Sequence, residues 1–181
     1  PGAGTTNLTS NGSGDAFVSK LDSSGDLVWA KSFGGTSDDK GWAVAVDSSG
    51  NVYTTGHFAG TADFDPGAGT TNLTSNGYTD VFVSKLDSSG DLVWAKNFGG
   101  SGGISTDLAP SVAVDPSGNV YSTGYFAGTA DFDPGAGTTN LTANGSYDVF
   151  VSKLDSSGDL VWAKNFGGNS VDLGQSVTVD S

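Results

Sequence analysis

Short runs of alternating apolar and polar residues, separated by turns rich in glycine and aspartate, recur along the whole chain. In one representative stretch these runs occupy residues 42–46, 51–58, 81–86 and 92–98, with a long excursion over residues 59–79 between the second and third. β-Branched and aromatic runs bounded by turn residues predict strands. Four antiparallel strands joined by tight hairpins form a propeller blade, so the pattern predicts an all-β fold, a β-propeller of four-stranded blades.

The turns between these strands share one four-residue motif. Asp-Ser-Ser-Gly begins at Asp22, Asp47, Asp87 and Asp155, and Asp115 begins the variant Asp-Pro-Ser-Gly. The aspartate can accept a hydrogen bond from the backbone N–H two residues later, and glycine supplies the left-handed backbone conformation of a short hairpin loop. The motif therefore predicts a tight hairpin at each of these positions.

The same block of sequence occurs nearly three times. The segment PGAGTTNLT begins at Pro1, Pro66 and Pro134, and this segment and a second one, KLDSSGDLVWAK, each recur at spacings of 65 and then 68 residues. A fixed period indicates a repeat architecture. The chain holds about 2.7 such units, which predicts a partial propeller arc with a long excursion between strands two and three of each blade.

The repeat divides the chain into four parts. We expect the end of an excursion and the outer two strands of a first blade in residues 1–41, and a complete second blade with the following inter-blade loop in residues 42–110. A complete third blade should occupy residues 111–174, and the inner strand of a fourth, predicted at residues 175–179, falls within residues 175–181. A propeller closes with about four to eight blades. We therefore expect a fragment of a longer chain or assembly.

The predicted strands differ in side-chain size. The first strand of a blade carries small residues between its valines, which suits a crowded innermost position. The fourth carries Trp29, Trp94 and Trp162, whose rings suit the wider gaps between neighbouring blades. Lysines recur in strands three and four, where we expect their stems to pack between blades and their ammonium groups to lie near aspartates.

Charge narrows the range of partners. The net charge is −13, all cationic residues are lysine, all anionic residues are aspartate, and arginine, glutamate, cysteine and methionine are absent. Nucleic-acid binding is disfavoured because it requires Lys and Arg to neutralise phosphates. Anionic membrane surfaces are disfavoured for the same reason, and no apolar run approaches the roughly 20 residues of a membrane span, so membrane insertion is not expected.

Four features of the repeat resemble a known family. They are the VDSSGNVY hairpin, the Gly-aromatic end of the second strand, the FVSKLD strand and the terminal Phe-Gly-Gly. Together they resemble the SBBP β-propeller repeat of bacterial secreted and cell-surface proteins, over essentially the whole chain. The resemblance implies an extracellular or bacterial cell-surface location and a scaffold or adhesion role, and it supplies no catalytic residues. The uniform excursion DFDPGAGTTNLT departs from it.

The excursion contains the candidate metal ligands. Asp63 and Asp65 flank Phe64 before a Pro-Gly pair, and Asp131 and Asp133 repeat the arrangement. Paired carboxylates beside backbone carbonyls can ligate Ca²⁺, which takes six to eight oxygens, although the EF-hand spacing and its glutamate are missing. The alternative is a turn capped by aspartate around a buried phenylalanine. No other cofactor is expected.

Further aspartates and aromatic residues are candidates for ligand contacts. The loops over residues 36–41, 101–110 and 169–174 differ most between copies and join successive blades, and variable loops on a rigid frame are where recognition resides. The candidate contacts are Tyr78, Tyr147, Asp38, Asp39, Asp107 and Asp172. Asp15, Asp80 and Asp148 precede the third strand in every copy and are expected to accept backbone N–H groups there.

These observations favour a non-catalytic extracellular scaffold, structural or adhesive, that self-associates with identical or further blades in a filament or surface layer. The alternative is a carbohydrate or surface-ligand binding module that acts through the excursion-side loops. An enzyme is disfavoured because the chain has no G-x-S-x-G elbow, cysteine nucleophile or glutamate acid, and the arginines and glutamates expected around a quinone cofactor are missing. Its only histidine, His57, is replaced by Tyr125 in the next copy, which indicates a blade-edge side chain.

Overall fold

The computed structural model describes residues 4–101 and 107–180. These residues form strands and no helix, so none of them belongs to a helix that could cross a membrane. The strands are β1 (Ala16–Leu21), β2 (Leu27–Gly35), β3 (Lys40–Val46), β4 (Val52–Phe58), β5 (Thr61–Asp63), β6 (Asn72–Thr74), β7 (Asp80–Leu86), β8 (Leu92–Gly100), β9 (Leu108–Val114), β10 (Val120–Phe126), β11 (Thr129–Asp131), β12 (Asn140–Thr142), β13 (Asp148–Leu154) and β14 (Leu160–Phe166). The all-β prediction is confirmed.

Two complete four-stranded blades follow one another along the chain. Strands β3, β4, β7 and β8 form one blade, and β9, β10, β13 and β14 form the next. Within each blade the strands pair antiparallel in chain order. Strands β1 and β2 are the third and fourth strands of an earlier blade. The predicted blade is confirmed, and the described blades form an open arc rather than a closed ring.

The hairpin turns have the predicted chemistry. The backbone N–H of Ser24 donates to Asp22 Oδ1 at 2.8 Å, and the same bond recurs at the other four motifs. The closing glycine has positive φ in every motif, as in Gly25 at 82° and Gly90 at 84°. Because a side chain rarely adopts this conformation, glycine is required there. The local sequence alone therefore fixes these turns.

Each excursion folds into a small hairpin that joins the sheet of the preceding blade. We call the pair β5–β6, and its copy β11–β12, the excursion hairpin. Strand β5 pairs antiparallel with the end of β2, and β11 pairs with the end of β8. The complete second blade thus becomes a six-stranded sheet in the order β12-β11-β8-β7-β4-β3. The sequence predicted the excursion but not this pairing, by which each unit completes the sheet of the unit before it.

Aromatic rings fill the space between blades. Phe64, from the excursion, is 1% exposed and lies between Phe33 of β2 and Phe82 of β7, with ring centroids 5.5 and 4.9 Å away. The next junction repeats the arrangement around Phe132. Offset and edge-on aromatic contacts at such distances stabilise a core beyond the burial of their area. The predicted burial of this phenylalanine is confirmed.

One glycine in each second strand is required by a close backbone approach. A Cβ on Gly56 would collide with the carbonyl oxygen of Lys40, and a Cβ on Gly124 would collide with that of Leu108. Both oxygens belong to first strands, whose pairing with the second strand is irregular at this point. The glycine at the Gly-aromatic end of the second strand is therefore required by close packing against the first strand.

The last predicted strand is absent. Residues 172–180 belong to no strand, although a strand was predicted at residues 175–179. A strand needs a ladder of hydrogen bonds with a partner, which the second strand provides in both complete blades. Val177 N donates a hydrogen bond to Ser111 Oγ at 3.1 Å, but this acceptor is a side chain, so the bond is not part of a strand ladder. In addition, the first strands begin at Lys40 and Leu108, before the predicted boundaries at residues 42 and 111.

Candidate functional site

The inter-blade loops place one aspartate where two blades meet. Asp39 Oδ2 accepts a hydrogen bond from Gly35 N at 2.6 Å, and its Oδ1 accepts one from Ala59 N at 3.1 Å. Gly35 ends the fourth strand of one blade, and Ala59 follows the second strand of the next. The Asp39 carboxylate therefore joins the backbones of two successive blades.

The other copies repeat this contact. Asp107 accepts hydrogen bonds from Gly100 N at 3.1 Å and Ala127 N at 3.3 Å, and Asp172 accepts one from Gly168 N at 2.7 Å. We call Asp39, Asp107 and Asp172 the junction carboxylates. The sequence placed all three in variable loops as ligand contacts. Asp39 and Asp107 are in fact 3% and 1% exposed, so burial corrects their interpretation as ligand contacts, whereas Asp172 is half-buried and stays a candidate.

A signal for the junction carboxylates was present in the sequence. The loops before the first strands differ in length and composition, yet each has an aspartate two residues before the strand residue that aligns with Gly41. An invariant residue in otherwise variable loops indicates a shared structural contact.

A second carboxylate, Asp15 or Asp80, lies beside the junction carboxylates Asp39 and Asp107. Asp80 is fully buried, and its Oδ2 accepts hydrogen bonds from Asn76 N at 3.1 Å and Asn97 Nδ2 at 3.0 Å. Asn11 N donates to Asp15, and Asn144 N donates to Asp148, in the same way. These bonds confirm the predicted backbone-accepting role. In the first copy, atoms of Asp15 and Asp39 both come within 3 Å of the point where a Cβ on Gly34 would lie.

Burial changes the electrostatics of these carboxyl groups. Loss of solvent raises the pKa of Asp107 from 3.8 to about 7, against the hydrogen bonds from the backbone, and the nearby Asp80 carboxylate adds to the shift. Burial likewise raises the pKa of Asp39, with smaller contributions from Asp15 and Asp38, and it raises the pKa of Asp80. The blade junctions therefore favour the protonated form of these groups.

The excursion aspartates also bond to the backbone. Asp63 Oδ1 accepts hydrogen bonds from Asp65 N at 3.0 Å and Thr71 N at 2.8 Å, and Asp65 Oδ1 accepts one from Gly67 N. Asp131 and Asp133 repeat these contacts. Within residues 4–101 and 107–180, no three His, Asp or similar side chains gather closely enough to hold a metal ion. Calcium binding stays a prediction, which melting curves with and without EDTA test.

Two of the remaining candidate ligand contacts adjoin the junction carboxylates, since Asp38 precedes Asp39 and the carbonyl of Tyr147 accepts a hydrogen bond from Asp172 N at 2.9 Å. Tyr78 is 66% exposed, whereas Tyr147 is half-buried with its ring edge-on to Tyr125 at 5.4 Å. Asp38 forms an exposed ion pair with Lys40 at 2.7 Å. The loop over residues 101–110 lies in part outside the described residues. Of these side chains, Tyr78 is the one that offers a mostly free aromatic surface.

His57 is buried rather than at a blade edge. It is 8% exposed, and its Nδ1 accepts a hydrogen bond from Trp42 Nε1 at 2.8 Å. Burial lowers the pKa of His57, and the Lys40 ammonium adds to this effect. The histidine is therefore held neutral as part of the packing.

The opposite end of the fourth strand contacts the next blade through a different set of groups. Trp29 Nε1 donates to the carbonyl of Ser88, and Trp94 Nε1 donates to that of Ser156, both at 3.1 Å. Each acceptor lies in the hairpin turn between strands three and four of the following blade. The predicted position of tryptophan between blades is confirmed, whereas its bond to the turn gave no signal in the sequence.

Lysines supplement these tryptophan bonds. Lys31 Nζ lies 3.7 Å from Asp91, and Lys96 Nζ lies 3.5 Å from Asp159, each across a blade junction. We call the tryptophan bond and this ion pair together the turn contact. The predicted proximity of lysine and aspartate is confirmed for these two pairs. The ammonium group of Lys85 lies instead over the ring of Tyr53, within the same blade.

The chain is similar to a known repeat family and to two known proteins. The β-propeller repeat model SBBP matches residues 28–57. The chain is 30% identical over 148 residues to the regulatory protein FlaEY of Caulobacter vibrioides, a match that covers 82% of this chain and 15% of FlaEY. It is 31% identical over 189 residues to an uncharacterized WD repeat-containing protein of Acanthamoeba polyphaga mimivirus, covering 94% of this chain and 13% of that protein.

This chain thus spans only a small part of either relative. The segment that matches the repeat model runs from β2 through β3 into β4, and it includes the Asp47 turn, Gly56 and the junction carboxylate Asp39. The structure repeats these features in antiparallel blades along the array. The chain is therefore an SBBP-type β-propeller repeat protein, a repeat scaffold of antiparallel blades.

Proposed function

We propose that the chain is a non-catalytic extracellular scaffold of a bacterial cell surface, with a structural or adhesive role in a filament or surface layer. The observation that carries this proposal is that the repeated polar side chains form hydrogen bonds between successive blades. Asp39 and Asp107 each accept N–H groups from two successive blades, and Trp29 and Trp94 each donate to the turn of the following blade. Side chains used in this way hold units together, as a structural array requires.

Antibody labelling of intact producing cells tests the location and the role. Gold-labelled antibodies against the chain should decorate unpermeabilised cells in an extended layer or along filaments, while an antibody against a cytosolic enzyme should not label them. Labelling that appears only after permeabilisation contradicts the extracellular scaffold.

Carbohydrate binding through the excursion-side loops is the second candidate, favoured by the exposure of Tyr78. An aromatic ring that is 66% exposed can stack on a sugar face. A glycan array should show binding by the chain, and Tyr78→Ala should abolish it. Val93→Ser is the matched control because Val93 is also exposed, at 51%, but lies on the fourth strand. An array without binding rejects this candidate.

A further inference from the structure

One carboxylate oxygen at the junction of the two complete blades lacks a hydrogen-bond donor. Asp80, at the start of β7, is fully buried. Its Oδ2 accepts hydrogen bonds from Asn76 N and Asn97 Nδ2, whereas its Oδ1 accepts none from the residues that the structure describes. Because buried polar atoms are almost always hydrogen-bonded, a donor is expected at this oxygen. A proton on a neighbouring acid is such a donor.

The equivalent oxygen has a donor in both other copies. Ser10 Oγ donates to Asp15 Oδ1 at 3.0 Å, and Gly145 N donates to Asp148 Oδ1 at 3.3 Å. In the second copy the corresponding serine, Ser75, donates instead to a backbone carbonyl at 3.2 Å. The unpaired oxygen is therefore a property of the second copy, and it accompanies a local change in the bonding of the loop before β7.

The junction carboxylate Asp107 lies beside this oxygen. Asp80 Oδ1 lies against Gly99, where a Cβ would collide with it, and the next residue, Gly100, donates its N–H to Asp107 Oδ2 at 3.1 Å. In the first copy the corresponding two oxygens are each 2.9 Å from the point where a Cβ on Gly34 would lie. Asp107 is 1% exposed, so the two carboxyl groups lie side by side, away from solvent.

The two carboxyl groups differ in which of them favours the charged form. In the described part of the chain, the Asp80 carboxylate accepts three N–H groups, from Asn76 N, Asn76 Nδ2 and Asn97 Nδ2, and Asp107 accepts two. Hydrogen bonds from N–H donors stabilise an ionised carboxylate, and a like charge close by disfavours a second one. Burial and the Asp80 charge raise the pKa of Asp107 to about 7, against its backbone hydrogen bonds. A single proton on the pair therefore belongs to Asp107.

We propose that Asp107 carries a proton and donates it in a hydrogen bond to Asp80 Oδ1, and that this carboxyl–carboxylate bond holds the junction between the two complete blades. The bond exists only while the proton is present. Above about pH 7 Asp107 ionises, the donor is lost, and two buried carboxylates repel each other. The junction is therefore a pH-sensitive latch within the array, closed in acidic and neutral solution and loosened in alkaline solution.

The described lysines on the surrounding elements have other partners, so they do not take the place of the proton. Lys40 pairs with Asp38, Lys85 lies over the ring of Tyr53, and Lys96 pairs with Asp159. The His57 imidazole on β4 is held neutral by burial, which lowers its pKa. The other ionisable groups on elements around the pair are Tyr78, Tyr125, Asp131 and Asp148.

A double-mutant cycle of Asp80→Ala and Asp107→Ala at pH 5 and pH 8.5 tests the bond. Urea titrations give the unfolding equilibrium constants. At pH 5 the coupling between the two positions should stabilise the fold by about tenfold or more in this constant, as a hydrogen bond to a charged group does. At pH 8.5 it should vanish or become repulsive. Two carboxylates that only repel each other would give no stabilising coupling at either pH.

Asparagine variants keep the proposal testable if the alanine variants do not fold. Asp107→Asn and Asp80→Asn each place an N–H donor between the two groups at every pH. In both variants the ratio of unfolding constants to the wild type should therefore shift by at least tenfold in favour of the variant between pH 5 and pH 8.5. An Asp80→Asn profile that runs parallel to the wild type overturns the proposal, because burial of Asp107 alone does not require Asp80.

The first junction supplies the matched control, because Ser10 already donates to Asp15 there. The cycle of Asp15→Ala and Asp39→Ala should show no stabilising coupling at pH 5. The proposal is overturned by an absent coupling between Asp80 and Asp107 at pH 5, by an equal one at both pH values, or by an equal one in the control. A coupling at pH 8.5 that appears with added Ca²⁺ and disappears with EDTA assigns the space to a cation and likewise overturns it.

Discussion

The two ends of the fourth strand join neighbouring blades by different means. At the C-terminal end of the fourth strand, near Gly35 or Gly100, the excursion hairpin extends the sheet. At the same end a phenylalanine is buried between the blades, and a junction carboxylate accepts hydrogen bonds from the backbones of both blades. At its start, Trp94 and Lys96 reach a turn of the next blade, and the Asp159 side chain in that ion pair is 70% exposed. We call the first set, made by the excursion hairpin, the buried phenylalanine and the junction carboxylate, the dry contact. The second set is the turn contact, which is open to solvent.

This difference indicates which contact determines stability. Burying an aromatic side chain contributes several kcal/mol, whereas an exposed ion pair contributes about 0–1 kcal/mol. The dry contact should therefore dominate the free energy of unfolding, and its buried carboxyl groups should make that free energy depend on pH. The turn contact should mainly set the orientation of one blade against the next. The four predictions below test this ranking.

Removal of the buried phenylalanine should have the largest effect. Phe132 is 1% exposed and lies within about 5 Å of the rings of Phe98, Phe126 and Phe150. Phe132→Ala leaves a cavity between blades, so we expect a loss of about 3–5 kcal/mol in the free energy of unfolding, measured by urea denaturation. Val93→Ala, at an exposed position, should cost less than about 1 kcal/mol. Similar losses for the two variants would refute the ranking.

Replacement of the junction carboxylate Asp107 by asparagine should remove part of the pH dependence. The folded state raises the pKa of Asp107 from 3.8 to about 7, so between these values it holds a proton that the unfolded chain releases. The contribution of this group is therefore fully present below pH 3.8 and is lost as the pH rises to about 7, by a few kcal/mol in total. Asp107→Asn should show a flatter decline over this range, measured as urea unfolding free energies from pH 4 to 7.5.

Part of the pH dependence should remain in this variant. The pKa values of Asp39 and Asp80 are also raised, which gives the same sign, and the lowered pKa of His57 gives the opposite sign. The control is Val93→Ser, at an exposed position that carries no titratable group. Its profile should run parallel to that of the wild type. If the Asp107→Asn profile also runs parallel, the carboxyl group at the junction does not titrate as the structure indicates.

Loss of the tryptophan bond should have a smaller effect. Trp94→Phe keeps an aromatic ring between blades but removes the hydrogen bond from Nε1 to the carbonyl of Ser156. We expect a cost of about 1 kcal/mol, since one hydrogen bond to a solvent-accessible carbonyl is replaced by water. Thermal unfolding measured by calorimetry gives this value. A cost equal to that of Phe132→Ala would show that the turn contact is as important as the dry one.

Loss of the lysine should have the smallest effect. Lys96→Ala removes an ion pair of 3.5 Å with an exposed partner, so the cost should be below about 1 kcal/mol and should vanish at high salt. A double-mutant cycle with Asp159→Ala separates the ion pair from the packing of the lysine stem. A coupling energy that persists in 1 M salt would contradict this assignment.

The parts of the fold predicted from sequence are those that short segments determine. An Asp-Ser-Ser-Gly turn needs only its own four residues, and the blade strands follow from alternation over five to eight residues. The pairing of β5 with β2 could not be predicted, because strands of three residues carry little periodic signal and their partner lies in another unit. The burial of Asp39 and Asp107 was missed for the same reason, since it depends on the backbones of two blades. Residues 175–179 show the converse, because a strand-like pattern formed no strand without a ladder partner.

The excursion hairpin has a consequence for how such a protein can change in length. Because the sheets of the first two units are each completed by the following unit, duplication or deletion of one full period restores the same strand pairing wherever the period is cut. Such an event creates no new kind of contact, since the added unit meets its neighbours through surfaces that already fit. The array can therefore gain or lose units by recombination between near-identical stretches, and its length can change in steps of one blade.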